Sequence, residues 1–460
     1  MRSSNGIFRR SIPSSSAPVS RWDCQSGFGD VNVGEYMKSE LAQQKRGKLT
    51  TWSVPLTYVL ATLLVGMLFP RLEHYLLPNL VSTMSAPAAM GICGAVASGM
   101  IALTGIVFSL TFVMVQFSAT AYSPRLVLWV ARDPVVGHAI GVFTGTFLYA
   151  LIILGWVDRN ISGKVPLISG WMVFVLLLAS MAMFICLIER IGLLKVSRML
   201  IFTGDHGRRA IHELYTPENS VSVSNKQDDY RAMSVTQTLR YVGRPQVVQA
   251  VQVDRLVKLA TESGGVIEVT AAVGNSIVEM GPLLQVYGAR EKLDEQALRE
   301  AIEIGDERTF EQDPKYAIRL LVDIAIKALS PAINDPTTAV QVLDQIEDLL
   351  VRLGHRHLEI GHYRDEQGGL RLVVPFPTWE DFLRLALDEI RFCGANSVQV
   401  MRRMMALIKG LLGALPVERH DALRKWERRV QATIARTFPD DEDKQRAAVA
   451  DRQGLGLSDT

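Results

Sequence analysis

The pattern of apolar and polar positions changes character sharply along the chain. Between Leu49 and Ile188, three stretches carry no Asp, Glu, Lys or Arg: Leu49 to Pro70, Pro134 to Val157 and Val165 to Ile188. As helices rising about 1.5 Å per residue they reach roughly 33–36 Å, enough to cross a hydrocarbon core of about 30 Å with modest tilt. A fourth uncharged region, His74 to Pro124, is long enough for two crossings. Pro78 and Pro87 interrupt its start, and Ala88 to Gln116 then reads as one helix. The pattern therefore predicts four spans, near 50–70, 88–116, 135–157 and 166–188.

Lys and Arg are retained on the cytoplasmic side as spans insert. Lys38, Lys45, Arg46 and Lys48 precede the first span, Arg125 and Arg132 lie between spans two and three, and Arg190, Lys195 and Arg198 follow span four. The other side holds Arg71, Arg159 and Lys164. Both termini are thus expected in the cytoplasm, with residues 1–48 a flexible tail, 191–440 a cytoplasmic α+β domain and 441–460 a disordered tail.

Past Glu189 the apolar runs shorten and turn signals appear. Val247 to Val251 predicts a strand, Asp254 to Glu262 a helix, and Val266 to Ala271, Ser276 to Glu279 and Leu283 to Val286 further strands. Gly274-Asn275 and Gly281-Pro282 supply turns. The run Val273 to Leu283 looks like the turn pattern of small biotinyl and lipoyl-type barrels, which predicts a small barrel-like β unit. No lysine stands at its hairpin tip, which argues against a carrier role. Asp313-Pro314 and Asp335-Pro336 each read as a helix start, followed by amphipathic faces that meet at the turn Ser330 to Thr338. Gly368 to Phe376 predicts a strand, and Thr378 to Ala395, Ser397 to Leu412 and Glu418 to Phe438 predict helices.

The segment RTFEQDPKYAIRLLVDIAIKALSPAINDPTTAVQVLDQI, Arg308 to Ile346, resembles the signature of the predicted bacterial membrane proteins grouped as domain of unknown function 2254. ASGMIALTGIVFSLTFVMVQFSATAYSPRL, Ala97 to Leu126, is similar to the membrane segment of that family. The resemblance covers roughly Leu49 to Leu412 and implies four spans with a cytoplasmic domain, in a bacterial cytoplasmic (inner) membrane. It implies no activity.

Composition narrows the chemistry. The 49 basic and 47 acidic side chains nearly balance, and the part from Glu189 onward is mildly acidic, which argues against nucleic-acid binding. The sequence carries no metal-ligand set, no cofactor motif, no G-x-S-x-G elbow and no P-loop, so no catalytic residues, cofactor or metal are assigned. Three residue sets remain. Gly91, Ala95 and Gly99 in span two, and Gly137, Gly141 and Gly145 in span three, form smooth ridges suited to packing within the chain or to a seam between copies. Thr104, Ser109, Thr111, Gln116 and Ser118 could line a polar path or bond back to their own helix carbonyls. Arg308, Asp313 and Asp323, with Ser330, Asn334, Asp335 and Thr338, could form an ion-pair network around a ligand turn or simply cap two helices.

Two functions fit: an oligomeric channel or transporter gated by its cytoplasmic domain, and a membrane-anchored sensor or scaffold that binds a small ligand or a cytoplasmic protein. The lipid bilayer and further copies of the chain are the expected partners, and an enzyme acting on lipid is a third, weaker reading.

Overall fold

The computed structural model describes residues 53–76, 84–121, 134–159, 165–191, 196–215 and 229–456. The expected tail at 1–48, the flanking residues Arg125, Arg132 and Lys195, and the side chain of Ser118 lie outside the described residues. Four helices come first: α1 (Ser53–Leu76), α2 (Ala86–Ala121), α3 (Pro134–Arg159) and α4 (Leu167–Ile191). Among the described residues these four are long and apolar enough to cross a membrane. Within the uncharged region from His74 to Pro124, Ala86–Ala121 forms one continuous helix, α2, with Pro87 in its first turn. Helix α1 continues through Pro70 to Leu76. Leu56, Leu60 and Leu64 on α1 and Leu178 on α4 are exposed, a surface suited to lipid.

Helix α3 is the centre of this group, with Ala139, Phe143, Ala150 and Ile153 buried. Its glycine ridge is what lets α1 lie close. A Cβ on Gly141 would stand 2.5 Å from Tyr58 Cδ2, and one on Gly145 would stand 2.8 Å from Thr62 Oγ1. On the opposite side, Thr146 Oγ1 and Ser180 Oγ share a hydrogen bond of 2.9 Å that ties α3 to α4. Glu73, near the end of α1, is 6% exposed and caps another helix: its carboxylate accepts from the amides of Ile168 at 2.7 Å and Ser169 at 2.9 Å, and from the Ser169 hydroxyl at 2.6 Å. These amides open α4 and have no partner within it.

A helix-and-sheet region follows. Helix α5 (Val196–Leu214) leads to strands β1 (Val235–Arg240) and β2 (Gln246–Val251), helix α6 (Val253–Ser263), and strands β3 (Val266–Val269), β4 (Ser276–Ile277) and β5 (Pro282–Tyr287). Then come α7 (Glu295–Glu300), β6 (Ile302–Gly305), α8 (Pro314–Ala328), α9 (Pro336–Gly354), β7 (His362–Arg364) and β8 (Leu370–Val373). Helices α10 (Trp379–Cys393), α11 (Val398–Ala414), α12 (His420–Thr437) and α13 (Asp441–Ala448) complete it. Apolar faces of α5 and α8 to α12 share one core, in which Leu320, Leu321, Leu343, Leu383 and Met404 are fully buried.

The expected barrel does not form. The strands make two open sheets, ordered β1-β5-β3-β8-β7 and β4-β2-β6. The run Val273 to Leu283 is divided between them, because Ser276 and Ile277 pair with β2 while β5 pairs with β1 and β3. Pairing is antiparallel except between β3 and β8. The stretch expected to be a disordered tail instead carries α13, capped by the Asp440 carboxylate on the amides of Glu442 and Asp443, with Ala447 buried in the helical core. The cap and this contact give the polar segment a fixed start and a place to pack.

If the Gly141 ridge serves α1 against α3, Gly141→Leu should lower the melting temperature of the detergent-solubilised protein, with overpacking costing about 1–3 kcal/mol. Gly155→Leu should change melting less, since a Cβ there meets nothing within 4 Å.

Candidate functional site

The two small-residue ridges part company in the structure. Gly137, Gly141 and Gly145 face α1, whereas Gly91, Ala95 and Gly99 are exposed on α2. That open face continues down the helix through Ser98, Ala102, Gly105 and Ser109. The positions Gly91, Ala95, Ser98, Ala102, Gly105 and Ser109 alternate steps of four and three, the spacing that keeps one stripe of a helix facing a partner helix.

The polar residues of α2 divide likewise. Thr104 donates to the Met100 carbonyl at 2.8 Å and Thr111 to the Val107 carbonyl at 2.7 Å, so both hydroxyls are satisfied within their own helix. Ser109 and Gln116 are exposed, in line with the open stripe. At the start of α3, the Tyr58 hydroxyl lies 3.2 Å from His138 Nδ1.

In the helix-and-sheet region the expected charge network splits into separate parts. Asp313 is 1% exposed, and both contacts from Arg308 fall on one of its oxygens: Nε to Oδ2 at 2.8 Å and a terminal nitrogen to Oδ2 at 2.5 Å. Asp313 therefore does not cap α8 with its side chain as the acid-proline pattern suggests. A carboxylate this deeply buried needs a charged partner more than the helix needs a cap. The Arg308 guanidinium also lies over the Tyr316 ring, 5.2 Å from its centre. Gly274 turns the chain beside this pair at φ +84°, and a Cβ there would run into both Asp313 Oδ2 and the Arg308 guanidinium. Asp323 pairs instead with Arg319 at 2.6 Å, and Arg319 reaches on to Glu389 at 2.5 Å.

The turn before α9 is held by its own groups. Ser330 Oγ donates to the Lys327 carbonyl at 2.7 Å, and Asp335 accepts from the Thr338 amide at 3.1 Å and hydroxyl at 2.6 Å. Asn334 takes φ +50°, a left-handed conformation that asparagine tolerates better than most residues. Asp335 thus caps its helix as the pattern predicts.

Lys315 and Tyr215, which carry no site motif in the sequence, and Gly274, expected only as a turn residue, surround the Arg308–Asp313 pair. Lys315 Nζ donates to the Val273 carbonyl at 3.1 Å. Burial pushes its pKa down, with nearby Asp313 opposing the shift and Arg308 adding to it. Burial pushes the Asp313 carboxyl up, against the pull of Arg308 and Lys315, and its Oδ1 has no hydrogen-bond partner. Burial also raises the Tyr215 hydroxyl, whose oxygen is equally unpartnered. The Tyr215 ring meets Phe376 edge-on at 6.4 Å. Phe376 and Lys315 both line a cleft of about 480 Å³. A lysine in the first turn of a helix opposes the helix dipole, and this was the signal in the sequence.

A family model described as Predicted membrane protein (DUF2254) matches residues 48–410. The chain belongs to this family. An uncharacterised protein of Mycobacterium tuberculosis and one of Mycobacterium bovis are each 26% identical to it over 368 residues, covering 77% of this chain and 70% of theirs. No solved structure matches. In this DUF2254 protein the signature segment Arg308 to Ile346 is the Arg308–Asp313 pair followed by α8, the capped turn and most of α9.

Replacing Arg308 by Met leaves the Asp313 carboxylate buried and uncompensated, and should destabilise the protein by about 3–5 kcal/mol. The raised pKa of Asp313 means the folded chain binds this proton more tightly than the unfolded chain, so acidification favours folding through this group. Thermal melting of R308M should therefore recover as the pH falls towards that pKa. Adding Asp313→Asn should remove this pH dependence.

Proposed function

We propose that this DUF2254 protein is an oligomeric conduit of the bacterial cytoplasmic membrane, in which α2 helices from several copies face one another along their open stripe. The observation that carries the reading is that stripe, Gly91 to Ser109 at heptad-like spacing, with Ser109 and Gln116 the exposed polar groups further along it. Small residues allow helix backbones to approach across lipid, and the hydroxyl and amide would then line the shared axis. Helix α8 of the signature also touches α2, which supports a gate set by the helix-and-sheet region. The basic flanks favour placing that region and both termini in the cytoplasm.

A second reading, a membrane-anchored sensor, is favoured by the cleft beside Lys315, which needs no pore to operate. The polar turn from Ser330 to Thr338 supports it less, since the side chains of Ser330, Asp335 and Thr338 already serve the turn.

In a cysteine-free background, Ser98→Cys and Ser109→Cys should form disulfide-linked dimers in the membrane, and Leu178→Cys on α4 should not. Liposomes holding the protein should pass ions or small solutes. Ser109→Leu should reduce that flux more than Thr111→Leu, whose native hydroxyl is already bonded to Val107. A bilayer that stays tight at every potential and pH would remove the conduit, and absence of both cross-links would remove the seam.

A further inference from the structure

We infer that the cleft between the start of α8 and α10 binds a small organic acid, with its carboxylate on the Lys315 ammonium and its apolar body against Phe376, Pro375, Pro377 and Leu385. The volume, about 480 Å³, lies within the range of small-molecule sites. This inference does not depend on the proposed conduit.

Charge on the lining selects the ligand. Asp381, Asp388 and Glu389 all line the cleft, and each already has an arginine: Arg384 at 2.5 Å, Arg391 and Arg429 at 2.9 Å, and Arg319 at 2.5 Å. A cationic ligand would have to displace these partners. Lys315 differs. Its Nζ reaches a main-chain carbonyl, and no carboxylate lies within 4.0 Å of it among the described residues. An ammonium has three donors, so two remain for an incoming acceptor.

The ammonium is also partly withdrawn from water, and burial already penalises its charged form. A carboxylate would compensate that charge and form a charge-assisted hydrogen bond. Inorganic phosphate could reach the ammonium but has no apolar body to set against Phe376 and the neighbouring prolines, so it gains only part of what the site offers. Apolar residues share the lining, and the Tyr215 ring packs edge-on against Phe376 and Phe382 at 6.4 Å. The Val273 carbonyl holds the lysine. A polar anchor among apolar lining residues suits a monoanion with a short hydrocarbon or ring body.

The test uses the full chain in lipid nanodiscs, with hexanoate as the probe, hexanol as its uncharged counterpart and inorganic phosphate as an anion without an apolar body. Acetylation of each lysine is followed by mass spectrometry. Hexanoate should slow acetylation of Lys315 saturably and leave exposed Lys258 unchanged. Hexanol and phosphate should protect Lys315 little. Lys315→Met should weaken hexanoate binding, read by saturation-transfer NMR, by about tenfold or more, as expected for loss of one charge-assisted hydrogen bond. Should K315M fail to fold, Phe376→Ala gives a second reading: it should weaken hexanoate in the same saturation-transfer measurement, and unchanged hexanoate binding would overturn the assignment. Protection by hexanol equal to that by hexanoate, equal protection by phosphate, or no protection by hexanoate would each overturn the assignment.

Discussion

Hydrocarbon offers no hydrogen bonds, and much of the first half of this chain follows from that constraint. Each apolar segment becomes a helix because only a helix satisfies its backbone within one segment. The side chains obey the same rule. Thr104 and Thr111 return their hydroxyls to carbonyls four residues back, Thr146 and Ser180 bond each other across α3 and α4, and Glu73 takes the amides that begin α4. Against this background the open stripe on α2 stands apart, because Ser109 is polar and exposed on a helix long enough to cross a membrane.

Beyond the membrane helices, α8 is the hub. It packs on α5, α9 and α10 and touches α2. Most of its residues are buried, including Ala317, Ile318, Leu320, Leu321 and Val322, so little of its surface is free to vary. Its charged residues are pinned at the edges. Arg308 holds Asp313 just before the helix, and Arg319 bridges Asp323 and Glu389, joining α8 to α10. A ligand at Lys315, in the first turn of α8, would therefore act on the element that also reaches α2.

Much of this architecture was legible in the sequence where one periodicity dominated. The helices of the helical core from α8 to α12 follow apolar faces of helical spacing, and Asp335 caps α9 as its acid-proline start indicates. Legibility failed where a polar group took a buried role. Strand β1 was missed because Gln237 occupies an inward position, with its amide exchanging hydrogen bonds with the Leu293 backbone and breaking the apolar alternation. The barrel expectation failed because β4 and β5, adjacent in sequence, join different sheets, a choice made by long-range pairing. Asp313 showed its helix-start position and not its depth, which depends on Gly274 approaching from another turn. Glu73 lies between two charge-free stretches, and nothing local in the sequence marks the helix it serves.

That last residue bears on how the chain is assembled. The groups that satisfy Glu73 lie 95 and 96 residues further along. When α1 first enters the bilayer its carboxylate lacks these donors, and it must stay hydrated at the headgroups or neutralised until α4 arrives. The first helix can settle to its final depth only once the fourth has been made, so the bundle closes by joining its first span to its last while the helix-and-sheet region is still to follow.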